Sequence, residues 1–400
     1  RVPRAVLWLV LAKLGVPPKI VNLLKLLHQV VKVKFSVDGV DVVLDSIIGV
    51  KQGDILGPIL FVMYMAAVSI SWRKTHRYDL CVFRSKPDWV LSGRRFGTGK
   101  KSDEFAFSDS LYADDTAMLF CSREDVEVQC PKVNSHFGRW GMEVHARTYD
   151  SNKPAKSEVL FVAAPGIQYV DKETFSDECE DGVVRPRDLS PIDVGNGTCP
   201  VVDRFKYLGS LLHQKCRDAA DVDERIKKAG GAFAALRGCV FDDRRVNLTA
   251  KRAVYVSLIL AILLYSSECW CLTEVMFKRL RCFHAKCVRK MSRITRKHMW
   301  SHLVSDAELR LKLNLESIDE YISRRQLSWA GTVARMPFCR LPRKMLSSWV
   351  CAPRPIGAPQ FTYARGLHKA LAKKDIERAS WHQKAQDPAS WRALIGQHTP

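Results

Sequence analysis

The sequence has few acidic residues, no hydrophobic run long enough to cross a membrane, and no regularly spaced cysteines. Its longest apolar stretches, residues 55–70 and 254–265, fall short of the roughly 20 residues that a membrane span requires, so both are interpreted as core helices. The 13 cysteines are odd in number and scattered, and no secretion signal opens the chain, which argues against a disulfide-stabilised secreted fold. These absences favour an intracellular globular protein.

The shortage of acidic residues gives the chain a strong positive charge. There are 63 Lys and Arg against 42 Asp and Glu, a formal net charge of +21. Residues 1–200 contribute 26 basic and 25 acidic residues, whereas residues 201–400 contribute 37 and 17. A surplus of this size points to a polyanionic partner, either nucleic acid or an anionic membrane surface, and places its footprint in the second half.

Hydrophobic periodicity and turn residues predict an α+β fold. Residues 4–31 predict two helices, residues 31–50 a hairpin around Asp38-Gly39, and residues 107–120 two strands joined by a turn. Residues 163–200 are acidic and rich in turn residues, which indicates a surface insertion. Residues 219–300 are predicted to be mostly helical and are increasingly basic, helices continue through 301–349, and an extended proline-rich linker follows at 352–360.

Two adjacent carboxylates, Asp114 and Asp115, stand at the predicted turn after Leu111 and Tyr112. Hard divalent cations such as Mg²⁺ prefer oxygen ligands of this kind, so the pair is a candidate metal site. Aspartate is also a good turn residue, and taken alone the pair is better explained by turn chemistry than by a metal site.

A second candidate is the loop that carries Gln52 and Gly53 and leads into the helix at 55–70. Glycine lets the backbone approach a ligand closely, the Gln52 amide both donates and accepts hydrogen bonds, and a helix N-terminus favours phosphate. The alternative is a plain glycine-proline helix start without a ligand.

The order of these motifs resembles the reverse transcriptases of non-LTR (LINE-type) retrotransposons. The similarity begins with Gln52-Gly53, Leu56, Pro58 and Leu60-Phe61, and continues about fifty residues later with Tyr112-Ala113-Asp114-Asp115. Further matches in the family's order are Lys156-Ser157-Glu158, Phe205-Lys206-Tyr207-Leu208-Gly209, the segment 263–270 and the segment 324–336. The resemblance spans nearly the whole chain.

The resemblance implies a role for each matched residue. Asp114 would be the principal Mg²⁺ ligand with Asp115 beside it, and Lys156 would protonate the departing pyrophosphate. Gln52 and Gly53 would line the nascent base pair and template, with Tyr112 packed beside the primer end. The turn formed by Phe205, Tyr207, Leu208 and Gly209 would grip the primer.

The sequence departs from the family pattern at three places. Two-metal polymerases of this kind need a further aspartate, which in the family precedes a segment similar to Val2–Trp8. We therefore expect this aspartate and the fingers segments to lie upstream of Arg1. We also expect the chain alone to transfer nucleotides slowly or not at all. Gly57 stands where the family usually has serine. Ser266 stands where the family usually has glycine, and a serine there is expected to strain a tight helix end.

Residues 278–297 form a basic amphipathic helix in which nine basic residues surround an apolar face. Such a helix suits a membrane surface or calmodulin as well as nucleic acid, and basic residues on a helix rim are often simply solvated. Beside the polymerase-like motifs, nucleic acid is the preferred partner. The expected phosphate contacts are Lys278, Arg279, Lys286, Arg289, Lys290 and Arg293.

The remaining cysteines and tryptophans are interpreted as core residues. Cys269, Cys271, Cys282, His284 and Cys287 match no common zinc-finger spacing, so we expect no zinc. Tryptophans in the basic region are able to stack on bases, but core filling is their usual role. The four considered are Trp329, Trp349, Trp381 and Trp391.

Together these observations predict a truncated reverse-transcriptase domain of a non-LTR retrotransposon. Its parts are a partial palm (1–162), the insertion (163–200), the primer-grip turn and helical thumb (201–300) and a basic C-terminal region (301–400). The implied partners are an RNA template, a DNA primer, deoxynucleotides and Mg²⁺, with an endonuclease domain upstream, no membrane, and a nuclear location. The alternative is a catalytically dead relic that binds RNA or DNA through its basic half.

Overall fold

The fold is α+β, as the sequence predicts, and combines helices with small sheets of two or three strands. The computed structural model describes residues 2–29, 31–45, 48–50, 53–86, 103–148, 155–162, 168–171, 184–350 and 362–396. The chain forms two compact units. Unit 1 consists of Arg1–Val82, Ala106–Val159 and Arg187–Val202, and unit 2 consists of Phe83–Phe105, Leu160–Pro186 and Asp203–Pro400.

Helices and strands alternate in the first half of the chain. In order they are α1 (Arg4–Lys13), α2 (Pro18–Gln29), β1 (Lys32–Val37), β2 (Val40–Asp45), α3 (Gly57–Thr75), β3 (Val82–Ser85), β4 (Asp103–Ala106), β5 (Asp109–Tyr112), β6 (Asp115–Met118) and α4 (Arg123–Arg139). Short strands follow: β7 (Val159–Leu160), β8 (Gln168–Asp171), β9 (Val184–Arg187), β10 (Ile192–Asp193), β11 (Thr198–Cys199), β12 (Val201–Val202), β13 (Arg204–Tyr207) and β14 (Ser210–His213).

The rest of the chain is mainly helical. It contains α5 (Ala219–Ala235), α6 (Leu248–Val254), α7 (Ala261–Leu263), α8 (Glu274–Ser292), α9 (Arg296–Ser301), α10 (Asp306–Lys312), α11 (Ile318–Ala334), α12 (Leu341–Leu346), β15 (Ser348–Val350), α13 (Tyr363–Ala372), α14 (Trp381–Lys384) and α15 (Pro388–Ile395). A π-helical turn, Tyr255–Leu260, joins α6 to α7. No helix among the described residues is both long and apolar enough to cross a bilayer.

The first three helices of unit 1 share one hydrophobic core. Leu7 and Leu11 of α1, Leu24 of α2, and Tyr64 and Val68 of α3 are buried in it. The two predicted helices within 4–31 and the core helix predicted at 55–70 are thus confirmed.

The predicted hairpin after α2 is also confirmed. β1 and β2 are antiparallel, with Val37 opposite Val40. Asp38 and Gly39 both have positive φ, 50° and 81°, as a two-residue turn that matches the strand twist requires.

The last segment of unit 1 covers a smaller core next to α4. Val194 and Cys199 are buried together with Ala146, and the Asn134 amide donates to the Val194 carbonyl oxygen at 3.0 Å. This segment is the end of the predicted acidic insertion. The four-part division made from the sequence stays a prediction.

Unit 2 contains two hydrophobic clusters. The larger buries Tyr255 and Leu263 of the α6–α7 segment together with Leu280 of α8, so residues 254–265 form a core helix as expected. The smaller buries Trp381 and Trp391 against α11 and α13, which confirms their core role. Trp329 is 39% exposed, so the core role expected for it is wrong. The side chain of Trp349 and the linker at 352–360 lie outside the described residues.

Candidate active site and nucleic-acid surface

The acidic pair lies at the tip of the hairpin formed by β5 and β6. Tyr112 is opposite Asp115, and the turn residues are Ala113 and Asp114. Ala113 has a φ of 54°, in the left-handed region. Asp114 and Asp115 are exposed, and Tyr112 is 64% exposed, so the hairpin presents all three side chains to solvent.

A buried aspartate that the sequence analysis did not select anchors this hairpin to α3. The Asp109 carboxylate accepts hydrogen bonds from the Ser69 hydroxyl at 2.7 Å and from the Arg73 guanidinium at 2.9 Å, and a further one from the Ser108 hydroxyl. Burial opposes ionisation of Asp109, but the hydrogen bonds from these three donors outweigh it and lower its pKa. An aspartate two residues before Leu111, on the inner face of a strand, was the available sequence signal.

Apolar packing completes the attachment of the hairpin. Leu111 of β5 and Met118 of β6 face Met65 and Val68 of α3 across a cavity of only about 10 Å³. The rings of Tyr78 and Phe120 lie 4.9 Å apart just beyond the strands. The strands of the hairpin are therefore packed against α3, and the turn at their end is exposed.

The other predicted catalytic and template-binding residues of unit 1 lie on two further loops. Gly53 is exposed with a φ of 88°, and Asp54 beside it accepts a hydrogen bond from the Leu56 amide at 3.3 Å ahead of α3. Lys156 is exposed ahead of β7, and its amide donates to the His145 carbonyl oxygen at 3.1 Å. Gln52 lies outside the described residues.

The carboxylates at the turn are suitable ligands for Mg²⁺ but do not form a complete set. Asp114 and Asp115 offer the hard oxygen donors that this ion prefers. Within the described ranges, no group of three or more His, Cys, Asp or Glu side chains could hold a metal ion. A further carboxylate is needed for a two-metal site.

The predicted primer-grip residues form a second hairpin, in unit 2. β13 and β14 are antiparallel, and their turn consists of Leu208 and Gly209, with φ of 47° and 83°. The rings of Phe205 and Tyr207 lie on the same strand with centroids 6.2 Å apart.

A polar network that includes the buried Arg225 and Asp221 holds this second turn in place. The Tyr265 hydroxyl donates to the Leu208 carbonyl oxygen at 2.7 Å, and the Arg225 guanidinium donates to the Gly209 carbonyl oxygen and lies over the Tyr265 ring. The Asp221 carboxylate, buried in α5, accepts from the Leu211 amide at 3.0 Å and the Trp270 indole at 2.8 Å. No local sequence pattern indicates these anchors, because they lie 10 to 57 residues away from the hairpin residues that they contact.

The basic helix predicted at 278–297 ends earlier than expected, at Ser292, because Arg293 is left-handed with a φ of 56°. The basic residues of α8 and its cap fall into two groups. Arg279 pairs with Asp223 at 2.8 Å, Arg289 pairs with Asp306 at 2.8 Å, and Arg293 donates to the Asp242 carbonyl oxygen. Lys278, Lys286 and Lys290 are exposed, and no ion pair with a described residue involves them. The expected nucleic-acid contacts stay a prediction, with these lysines as the available cations.

His284, on the opposite face of α8, uses both ring nitrogens inside the protein. Its Nδ1 lies 2.8 Å from the Tyr255 hydroxyl, and its Nε2 lies 3.2 Å from the Glu316 carbonyl oxygen. Burial lowers the pKa of His284 to about 4. The ring is therefore a neutral core group at physiological pH.

The α5 helix and the second hairpin also border an open groove. Its volume is about 440 Å³, and five basic side chains line it beside the acidic Asp223 and Glu224. The basic residues are Arg204, His213, Lys215, Arg217 and Lys227.

The chain is similar in sequence to a protein that is described as transposon-derived. It is 23% identical to a transposon-derived protein of Caenorhabditis elegans over 207 residues, which are 50% of this chain and 72% of that protein. No family model matches the chain.

Proposed function

We propose that the chain is the palm and thumb portion of an RNA-directed DNA polymerase encoded by a non-LTR retrotransposon. The observation that carries this proposal is the exposed Asp114-Asp115 pair on a two-residue turn whose base is anchored by Asp109. Similarity to a transposon-derived protein supports a transposable-element origin.

Each site residue has a defined task in this reaction. Asp114 and Asp115 would hold Mg²⁺, which when bound neutralises charge at the attacking and leaving oxygens. Lys156 would donate a proton to pyrophosphate, and Tyr112 would pack beside the primer end. A further carboxylate from outside the described residues is required.

Primer extension on an RNA template with Mg²⁺ or Mn²⁺ tests the proposal. We expect at most slow extension by the wild type, and we expect Asp114→Asn to abolish it and Asp79→Asn, a change at an exposed aspartate outside the turn, to leave it unchanged. Extension that survives Asp114→Asn contradicts the site assignment. Absence of extension in both metals, combined with salt-dependent binding of RNA or DNA, favours the second candidate.

The second candidate is a relic that binds RNA or DNA without catalysis, favoured by the exposed Lys278, Lys286 and Lys290 of α8. Deleting α8 would remove core residues such as Leu280, so replacement of the three lysines by alanine is the cleaner test. Each lost phosphate contact should reduce the slope of the logarithm of the binding constant against the logarithm of the salt concentration by about 0.7–0.9. Alanine at Lys13, Lys19 and Lys25, exposed lysines of unit 1, is the matched control.

A further inference from the structure

The tip formed by the end of α9 and the turn after it exposes two large apolar side chains. Trp300 is 84% exposed and Leu303 is 89% exposed. Elsewhere in the described chain Trp72, Trp270 and Trp391 are almost fully buried. Exposing an indole forgoes the hydrophobic free energy that burial would supply. Trp300 is therefore a candidate contact for a binding partner.

This tip is rigidly built. The Thr295 hydroxyl accepts a hydrogen bond from the His298 amide at 3.2 Å, and the Val304 amide donates to the Met299 carbonyl oxygen at 3.0 Å. Met299 and Val304 pack against the larger core of unit 2. Leu303 has a φ of 53°, a left-handed conformation that is unfavourable for leucine. The backbone therefore fixes the tip with its apolar side chains outward.

Positive charge surrounds the indole. Arg296 and Lys297 precede Trp300 by four and three residues, so both lie on its side of the helix. Both are exposed, and no ion pair among the described residues involves them. The sequence from Val275 to Ser305 contains no aspartate or glutamate.

We infer that Trp300, with Arg296 and Lys297, is a stacking platform for an unpaired base of single-stranded nucleic acid. Every base presents a π-face to an indole, and the adjacent cations are complementary to the phosphate on either side of that base. The inference rests on the proposal that unit 2 binds nucleic acid, and it adds the residue that selects single strands.

Fluorescence anisotropy with a labelled 20-nucleotide single strand and a duplex of equal length, at several salt concentrations, tests the inference. Trp300→Ala in the full chain should weaken single-strand binding about tenfold and leave its salt slope and the duplex affinity unchanged. Trp300→Phe should restore most of the affinity. Leu311→Ala, which removes another side chain that is 77% exposed, is the matched control and should have no effect.

The outcomes separate this inference from the proposed function. If the α8 lysine variant weakens binding but Trp300→Ala does not, the stacking platform is wrong and nucleic-acid binding stands. If the wild type binds neither probe, both fail. Loss of binding to phosphatidylserine vesicles by Trp300→Ala, with unchanged single-strand affinity, would identify a membrane contact and overturn the platform.

Discussion

Arg73 and Asp109 form a two-pronged ion pair in which the Nε and Nη2 atoms of Arg73 each lie 2.9 Å from a different oxygen of the Asp109 carboxylate. The Asp109 side chain is 3% exposed and that of Arg73 is 54% exposed. The pair joins α3 to β5, five residues before Asp114. It makes the position of the acidic turn depend on a contact at the base of the hairpin.

Asp109→Ala should therefore destabilise the protein in a pH-dependent way. At pH 7 we expect the free energy of unfolding to fall by about 1–2 kcal/mol, since the half-exposed Arg73 is screened by solvent. The pKa of Asp109 is lowered in the folded protein, so its contribution is complete above the ordinary aspartate pKa of 3.8 and disappears as the pH falls below it.

Urea denaturation between pH 7 and pH 3 measures this effect. The difference between wild type and Asp109→Ala should shrink toward pH 3, whereas Asp79→Ala, at an exposed position, should leave stability unchanged throughout. A constant difference at all pH values would contradict the ion-pair explanation.

Ser266→Gly should stabilise the protein. Ser266 has a φ of 66° and its side chain makes no capping hydrogen bond, so serine bears the steric cost of the left-handed region without compensation. We expect a gain of about 0.5–1 kcal/mol in the free energy of unfolding, measured by chemical denaturation. Ser328→Gly in the middle of α11 should have the opposite sign, because glycine weakens a helix interior.

Gly331→Ala should destabilise the protein although alanine normally favours a helix. A Cβ atom at this position of α11 would lie 2.2 Å from Nε1 of Trp391, whose indole donates to the Leu327 carbonyl oxygen at 3.0 Å. Displacing that buried ring should cost about 1–3 kcal/mol. Gly366→Ala in α13, where a Cβ has no atom within 4 Å, should instead stabilise the protein by about 0.5–1 kcal/mol. Thermal and chemical denaturation of both variants measures these effects.

Oxidation should join Cys81 to Cys121, whose Sγ atoms lie 3.5 Å apart. With oxidised glutathione, the two thiols lose two protons and two electrons, and the glutathione disulfide is reduced to two thiols. Burial and the neighbouring Cys81 raise the pKa of Cys121 to about 11, so the reaction should accelerate as the pH rises toward 10. The disulfide would close a loop from Cys81 to Cys121, and this should raise the free energy of unfolding by up to about 4 kcal/mol.

Peptide mapping without reductant identifies the bond, and Cys81→Ser should abolish both the cross-link and the gain in stability. Formation of only a mixed disulfide between glutathione and Cys121 would contradict the expected pairing.

Local features of the fold were predictable from the sequence, and long-range ones were not. Asp38-Gly39 specifies a two-residue turn through its own conformational preferences, and the predicted hairpin forms there. The apolar spacing of α8 likewise predicts which face is buried. The ion pairs of Arg279 and Arg289 depend on carboxylates 56 and 17 residues away, and no local pattern indicates that those arginines are already neutralised.

The candidate site shows the same division. The turn that carries Asp114 follows from residues next to it, whereas its attachment to α3 depends on Ser69 and Arg73, forty and thirty-six residues from Asp109. The network around Leu208 and Gly209 similarly depends on Tyr265, whose hydroxyl reaches the Leu208 carbonyl oxygen only in the packed structure.

The segments of unit 1 are interrupted in the chain by segments of unit 2. The Arg147 amide donates to the Thr198 carbonyl oxygen at 2.9 Å, and the Val159 amide donates to the Pro200 carbonyl oxygen at 2.9 Å. During synthesis, the early part of unit 1 therefore waits for about forty more residues before its last partners leave the ribosome. A chain that ends near residue 186 would lack these partners and leave Ala146 and Val159 uncovered, so the time between the emergence of residues 146–159 and that of residues 198–200 sets how long this surface stays exposed.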